Sequence, residues 1–145
     1  MSKRLSLKLF HTMHPNSQIK IKRSNIPNAG KGAFAAEDLE AHKIIGEYLG
    51  EPCNENSNGD YVLDINVIRK YEGVERRVKI CLDAKKLSTS NWTRYINSVT
   101  ALNKEDRNVE FVVFGEYKNE KVGIRTLRHI EKDEELLLDY GNEYF

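Results

Sequence analysis

Cysteine is scarce in this chain: two residues in 145, Cys53 and Cys81, and neither belongs to a C-x-x-C pair. A structural zinc ion takes four Cys or His ligands at close spacing, so no zinc site is expected from this chain alone. Two cysteines leave a disulfide open, but the composition is not that of a stapled secreted scaffold, and the reduced, intracellular reading is preferred. Long apolar runs are also missing. A membrane span needs about 20 apolar residues, and the longest runs here are only a few. The start, MSKRLSLKLFHTMHP, is basic but lacks the apolar stretch and small-residue cleavage site of a signal peptide. Excess charge of one sign is absent as well, with 23 basic and 22 acidic residues giving a net charge of +1. With 39% hydrophobic and 31% charged residues, the chain reads as a folded domain rather than a tail, and its length suits one core.

That balance hides an asymmetry. Residues 1 to 23 carry Lys3, Arg4, Lys8, Lys20, Lys22 and Arg23 with no acid, whereas residues 131 to 143 carry Glu131, Asp133, Glu134, Glu135, Asp139 and Glu143 against Lys132. Solvated faces are the plain explanation of both runs. The alternative is that the basic arm, residues 1–17, touches nucleic acid and the acidic rim receives a basic partner.

The alternation in QIKIK, 18 to 22, predicts a half-buried strand, and SNIPNAGKG, 24 to 32, is turn chemistry. KIIGEYLGEP, DYVLDI and VKICLDA read as three short strands. LSTSNWTRYIN is expected to form one short helix capped by Ser88 or Ser90. NVEFVVFGEY and KVGIRTLRHI form a strand pair around KNEK, and EELLLDY is a last apolar run. The pattern predicts a mainly β domain of short, irregularly connected strands with one or two short helices.

Individually the motifs are weak. The G-x-G of AGKGAF lacks the third glycine and following helix of a dinucleotide site, so a tight turn explains it. Tyr48 in GEYLGE reads as core packing, and EELLLDYGNEYF as a buried last strand ending in a turn.

In order, however, IPNAGKGAFAAEDLEAHKIIGEYLGE, ICLDA, RYIN and EELLLDYG resemble the opening, middle and closing motifs of the SET-domain protein lysine methyltransferases. The likeness runs over residues 18–145. NWTRYIN followed by the polar insert SVTALNKEDR is similar to the PR-type branch. The family's common Asn-His-Ser is Asn-Ser-Val here, and its cysteine-rich zinc segment after the domain is absent. In short members a C-terminal aromatic stretch takes that segment's place, and GNEYF resembles one.

The resemblance implies a β-clip-like fold of small sheets with a knot-like crossing of the C-terminal motifs. It also implies methyl transfer from S-adenosyl-L-methionine to lysine side chains. On its motifs, Tyr140 is the hydroxyl beside the transfer and Tyr48 holds the amine in line. Gly30, Lys31 and Gly32 lie against the methionine part of the cofactor, Asn97 bonds that part, and the Ser98 backbone serves the adenine. Tyr61 and Tyr95 line the pocket, and Arg94 buttresses the crossing. Phe111 and Leu138 join Tyr48 and Tyr140 along the substrate channel. Leu138 has no hydroxyl to hold a water, which leaves room for di- or trimethylation. The implied substrate is a basic protein or peptide such as a histone tail, the implied location the nucleus or chromatin, and a homodimer stays open. The alternative is a catalytically weak module of the same fold serving as a protein or chromatin interaction domain.

Overall fold

The computed structural model describes residues 16–54, 59–99 and 104–140. The N-terminal arm, apart from Asn16 and Ser17, and the terminal GNEYF lie outside the described residues.

QIKIK forms β1 (Ile19–Arg23), antiparallel to β2 (Lys31–Ala35) from Ile19 opposite Ala35 to Arg23 opposite Lys31. Ala33, Phe34 and Ala35 of β2 are fully buried, which small side chains permit on both faces of a strand. KIIGEYLGEP divides into β3 (Ile44–Glu47) and the two-residue β4 (Glu51–Pro52).

DYVLDI and VKICLDA are not separate short strands. They are the proximal halves of one hairpin, β5 (Val62–Tyr71) and β6 (Val74–Asp83), paired along ten residues. Its turn is Glu72–Gly73, both at positive φ, +52° and +81°. Such a pair matches the twist of hairpin strands, and x-Gly at the turn is its sequence signal. The strand pair around KNEK is β8 (Val109–Glu116) and β9 (Asn119–Thr126), and β9 also carries β3 on its other edge.

The expected single helix over LSTSNWTRYIN is instead two 3-10 turns, Leu87–Thr89 and Trp92–Tyr95. Neither Ser88 nor Ser90 caps the second turn. Asn91 does, accepting from the Thr93 amide, while its own amide donates to the Glu47 carbonyl at 2.8 Å. Trp92 and Thr93 are buried, and the extended backbone at Ser90 and Asn91, φ −123° and −145°, breaks the run into two short turns.

The reduced state expected of the cysteines is also overturned, because Cys53 and Cys81 form a disulfide. Pairing of Glu51 with Asp83 and Pro52 with Leu82 sets Cys53 opposite Cys81, with Cα atoms 5.1 Å apart. That separation lies within the range a bridge requires.

β10 (Leu137–Leu138) pairs in parallel with β7 (Asn97–Ser98). Residues 133–138 are hydrogen-bonded on both sides. Toward β2, Asp133 N–H donates to the Ala35 carbonyl, Ala35 N–H to Glu134 and Leu136 N–H to Ala33, each at 2.8–2.9 Å. Toward the other side, Val99 N–H donates to the Leu138 carbonyl at 2.7 Å, and Asn108 closes the gap. The Asn108 side chain accepts from Leu137 N–H at 2.9 Å and donates to the Glu135 carbonyl at 2.9 Å. Asn108 is 1% exposed, so these bonds have no water to replace them.

Asn108→Ala would strand two buried backbone groups, each worth about 1–3 kcal/mol when left unpaired. It is expected to lower unfolding free energy by about 2–4 kcal/mol in urea denaturation. A loss near zero would show that the crossing does not depend on this side chain.

Candidate active site

Tyr48 follows β3 and is buried, its amide donating to the Val122 carbonyl. Its hydroxyl donates to the Tyr61 carbonyl at 2.9 Å. Tyr140 stands two residues beyond β10, where its amide donates to the Ser98 hydroxyl at 3.2 Å and its own hydroxyl donates to the Ile96 carbonyl at 3.1 Å. Phe111 of β8 lies between them, 5.6 Å from the Tyr48 ring and 5.7 Å from the Tyr140 ring, edge-on to both. Leu138 is fully buried in the same cluster.

Burial pushes both phenols well above their ordinary value of 10.0, and at Tyr48 the nearby Tyr140 and Asp83 add to the effect. Both therefore stay protonated at neutral pH. Because a carbonyl can only accept, each hydroxyl proton is committed to the backbone, and what remains to face a neighbour is a lone pair.

A second group surrounds the G-x-G turn. Gly30 adopts φ +72°, and a Cβ there would meet nothing within 4 Å, so its outer side is open. At Gly32 the reverse holds: a Cβ would stand 2.4 Å from Oε2 of Glu135. Glu135 is buried and accepts from the Ser24 hydroxyl at 2.7 Å, the Asn25 amide at 2.9 Å and Asn97 Nδ2 at 3.3 Å. Asn97 Nδ2 also donates to the Lys31 carbonyl at 3.0 Å. Its two N–H groups are thus spent inside the protein, leaving the carboxamide oxygen as its outward function.

Arg94 stands close enough to Tyr48 to act on its hydroxyl electrostatically, and it bonds carbonyls outside the closing strand rather than the crossing it was expected to buttress. Its guanidinium donates to the Ala84 carbonyl at 2.8 Å and the Lys85 carbonyl at 3.0 Å, and lies 4.1 Å above the Tyr61 ring and 5.0 Å from that of Tyr95. This stack is a flat, partly exposed wall. A guanidinium prefers it because the rings offer negative faces while the fork keeps its hydrogen bonds. The buttress at the crossing is Asn108.

Within the C-terminal acidic run, the described acids Asp133, Glu134 and Glu135 are engaged inside the fold. Glu135 and Asp139 are buried, and Asp133 pairs with Lys20, whose hydrogen bond lowers the Asp133 pKa. Burial opposes the charge of Glu134, but Arg128 and the Glu131 amide outweigh it and leave its pKa lowered. Asp133, Glu134 and Glu135 thus hold the fold's own donors.

Sequence reasoning passed over Glu135 and Asn108. Glu135 looked like one acid of a charged run, and nothing in EELLLDY marked its side chain as turned inward. Asn108 stood as the first residue of NVEFVVFGEY, directly after the polar insert, and read as the start of a strand.

Residues 30–141 match the SET domain family. The chain is 32% identical over 142 residues to human histone-lysine N-methyltransferase PRDM7, a match over 90% of this chain and 26% of that protein. It is 30% identical over 125 residues to Caenorhabditis elegans histone-lysine N-methyltransferase set-17, over 86% of this chain and 41% of that protein. It therefore spans less than half the length of these curated relatives. Among solved structures, the methyltransferase domain of human PR domain-containing protein 2 superposes with a TM-score of 0.67 at 20% identity, covering 92% of this chain and 84% of that one. The structure of ctPRC2 in an autoinhibited conformation bound to S-adenosylmethionine superposes with a TM-score of 0.61 at 24% identity, covering 87% and 15%. These likenesses agree with the mainly β architecture of small sheets. The chain belongs to the SET domain family.

Proposed function

We propose that this chain transfers methyl groups from S-adenosyl-L-methionine to lysine side chains of a basic protein, a histone tail being the favoured substrate and chromatin the favoured location. One observation carries the reading: the Tyr48 and Tyr140 hydroxyls, protons committed to backbone carbonyls, flank the Phe111 ring in a buried aromatic cluster. The histone-lysine methyltransferase names of the relatives support it.

The residues present fit the cofactor. The open side of Gly30 lets a ligand approach bare backbone, with Lys31 and Gly32 continuing the turn, and the carboxamide oxygen of Asn97 suits the ammonium of a methionine moiety. Tyr95, Tyr61 and Arg94 supply a flat wall, and the Ser98 backbone the adenine side. When bound, S-adenosylmethionine supplies an electrophilic methyl group on a sulfonium, which a neutral amine takes while the C–S bond pair leaves to sulfur and the amine nitrogen gains the positive charge.

A free lysine has a pKa of about 10.4 and enters protonated. Walls of Tyr48, Phe111 and Tyr140 disfavour that ammonium by desolvation. Neither tyrosine acts as a base, since burial holds both phenols protonated. Their lone pairs instead orient the amine and meet the polarised methyl hydrogens, so the acceleration comes from alignment and preorganised electrostatics. Leu138 brings no hydroxyl to anchor a water, which favours di- or trimethyl product.

Tyr140→Phe is expected to cut kcat on histone substrates by about 10²-fold, on the scale of losing one preorganised polar group, while cofactor binding persists. Full activity in the variant contradicts the assignment. Mass spectrometry of the wild-type product is expected to find di- or trimethyl-lysine, and strictly monomethyl product contradicts the role of Leu138.

The same phenols set an alkaline limit. Their folded pKa values exceed the unfolded value of 10.0, so above that pH the unfolded chain gives up protons first. Their stabilising share is complete below pH 10 and is lost as pH rises beyond it. Tyr140→Phe is expected to flatten the fall of unfolding free energy above pH 10, and an unchanged slope would show that burial does not raise this phenol.

A further inference from the structure

The tips of the two long hairpins meet in a group of cations and rings. Arg69 of β5 and Arg76 of β6 are direct cross-strand partners, so two guanidinium groups stand opposite one another on one face of the hairpin. Like charges placed this way destabilise a strand pair. Each lies over a ring, Arg69 5.0 Å from that of Tyr71 and Arg76 5.0 Å from that of Tyr117, and the two rings are 5.2 Å apart. The attraction of a cation for a ring face offsets part of the repulsion and gathers the four side chains into one stack.

The stack is not closed on itself. Arg69 donates from Nη1 to the Tyr71 hydroxyl at 2.8 Å and to the Gly115 carbonyl at 3.2 Å, which leaves the N–H groups of Nε and Nη2 unspent. The Tyr71 hydroxyl donates to Glu120 at 2.6 Å, so that acid is already occupied. Tyr117 is 44% exposed, and among the described residues Lys70, Arg76, Arg77 and Lys79 form no ion pair. Residues 66–79 and 115–121 together carry seven cations against four acids, a larger excess than the net +1 of the whole chain.

Arg69, Tyr71, Arg76 and Tyr117 border an open cavity of about 720 Å³, within the range of about 300–1,000 Å³ usual for small-ligand sites. Glu72 and Glu116 also line it, so an anionic group is best received on the side of the two arginines. A single strand of nucleic acid supplies what such a surface can hold. An unpaired base stacks on a tyrosine or guanidinium plane while the phosphates beside it meet the cations. A duplex keeps its base faces covered, and an acidic peptide brings charge without a ring at each step.

We propose that the hairpin tips bind a single strand of nucleic acid, with a base stacked at Tyr117 and the flanking phosphates held by Arg69 and Arg76. RNA and DNA share this chemistry. The inference does not depend on the methyltransferase reading.

Fluorescence anisotropy of a labelled strand of about twelve nucleotides, as RNA and as DNA, measures binding to the full chain. At least one of the two is expected to give a saturable isotherm that weakens about tenfold between about 50 and 200 mM salt, as release of about two or three counterions requires. The duplex of the same sequence is expected to bind about tenfold more weakly or worse. Tyr117→Ala and, separately, Arg76→Glu are expected to weaken binding about tenfold and Tyr117→Phe to retain it, with thermal melting unchanged. Replacing Lys3, Arg4 and Lys8 of the basic arm by Ala is expected to leave most of the affinity. Ultraviolet crosslinking of the wild-type chain, read by mass spectrometry, is expected to mark Tyr71 or Tyr117 and locates the strand even if both hairpin variants fail to fold. The inference is overturned by no binding, by a duplex or polyglutamate that competes as well as the single strand, by crosslinks confined to residues 1–17, or by affinity indifferent to both hairpin variants.

Discussion

The structure depends on a six-residue stretch, Asp133–Leu138, that is hydrogen-bonded along both sides to parts of the chain remote in sequence. On one side stand Ala33 and Ala35, on the other Val99 and Asn108. Buried backbone groups must all find partners, and here the partners are supplied by three different segments. From this strip Glu135 reaches Ser24, Asn25 and Asn97, and its carboxyl oxygen occupies the space that a side chain at position 32 would need. The glycine turn, the carboxamide and the closing strand are therefore one unit, and Tyr140 follows directly from it.

The two tyrosines gain their chemistry from the same economy of donors and acceptors. Each hydroxyl is pinned to a carbonyl set at the margin of a regular element, Tyr61 before β5 and Ile96 before β7. A phenol held this way is a rigid acceptor, which serves alignment better than it serves proton removal. Ser98 contributes to the same end, since its hydroxyl accepts the Tyr140 amide. The position where relatives of this motif commonly place a histidine is thus tied to the orientation of Tyr140.

Much of the fold was legible because it rests on local pattern. The alternation in QIKIK, the turn chemistry of SNIPNAGKG and the strand pair around KNEK each reflect period and turn residues within a few positions. The long hairpin was read too short because residues 66–77 lack a regular apolar alternation, with Ile68 and Val74 exposed among charged neighbours, although Glu72–Gly73 marks its turn. What local pattern could not carry was long-range register. The pairing of Cys53 with Cys81 follows from two residues of β4 lying against β6, and Arg94 finds its carbonyls at Ala84 and Lys85. The acids 133–135 were visible as charge, but the burial of Glu135 and the pairing of Asp133 depend on partners about 100 residues away, Ser24 and Lys20.

The hairpin tips show how the same scaffold extends outward from the site. Arg69, Tyr71 and Glu120 join the tips of two strand pairs whose inner parts face each other through Phe111 and its apolar neighbours. At the centre of the account is the claim that the Gly30–Gly32 turn, Asn97 and the Arg94 wall form an S-adenosylmethionine site. Calorimetric titration tests it most directly: the full chain is expected to give a saturable one-site isotherm with S-adenosylmethionine, and Asn97→Ala to bind about tenfold or more weakly, about 1.4 kcal/mol. Absence of binding to the wild-type chain, or equal binding by the variant, would contradict that claim.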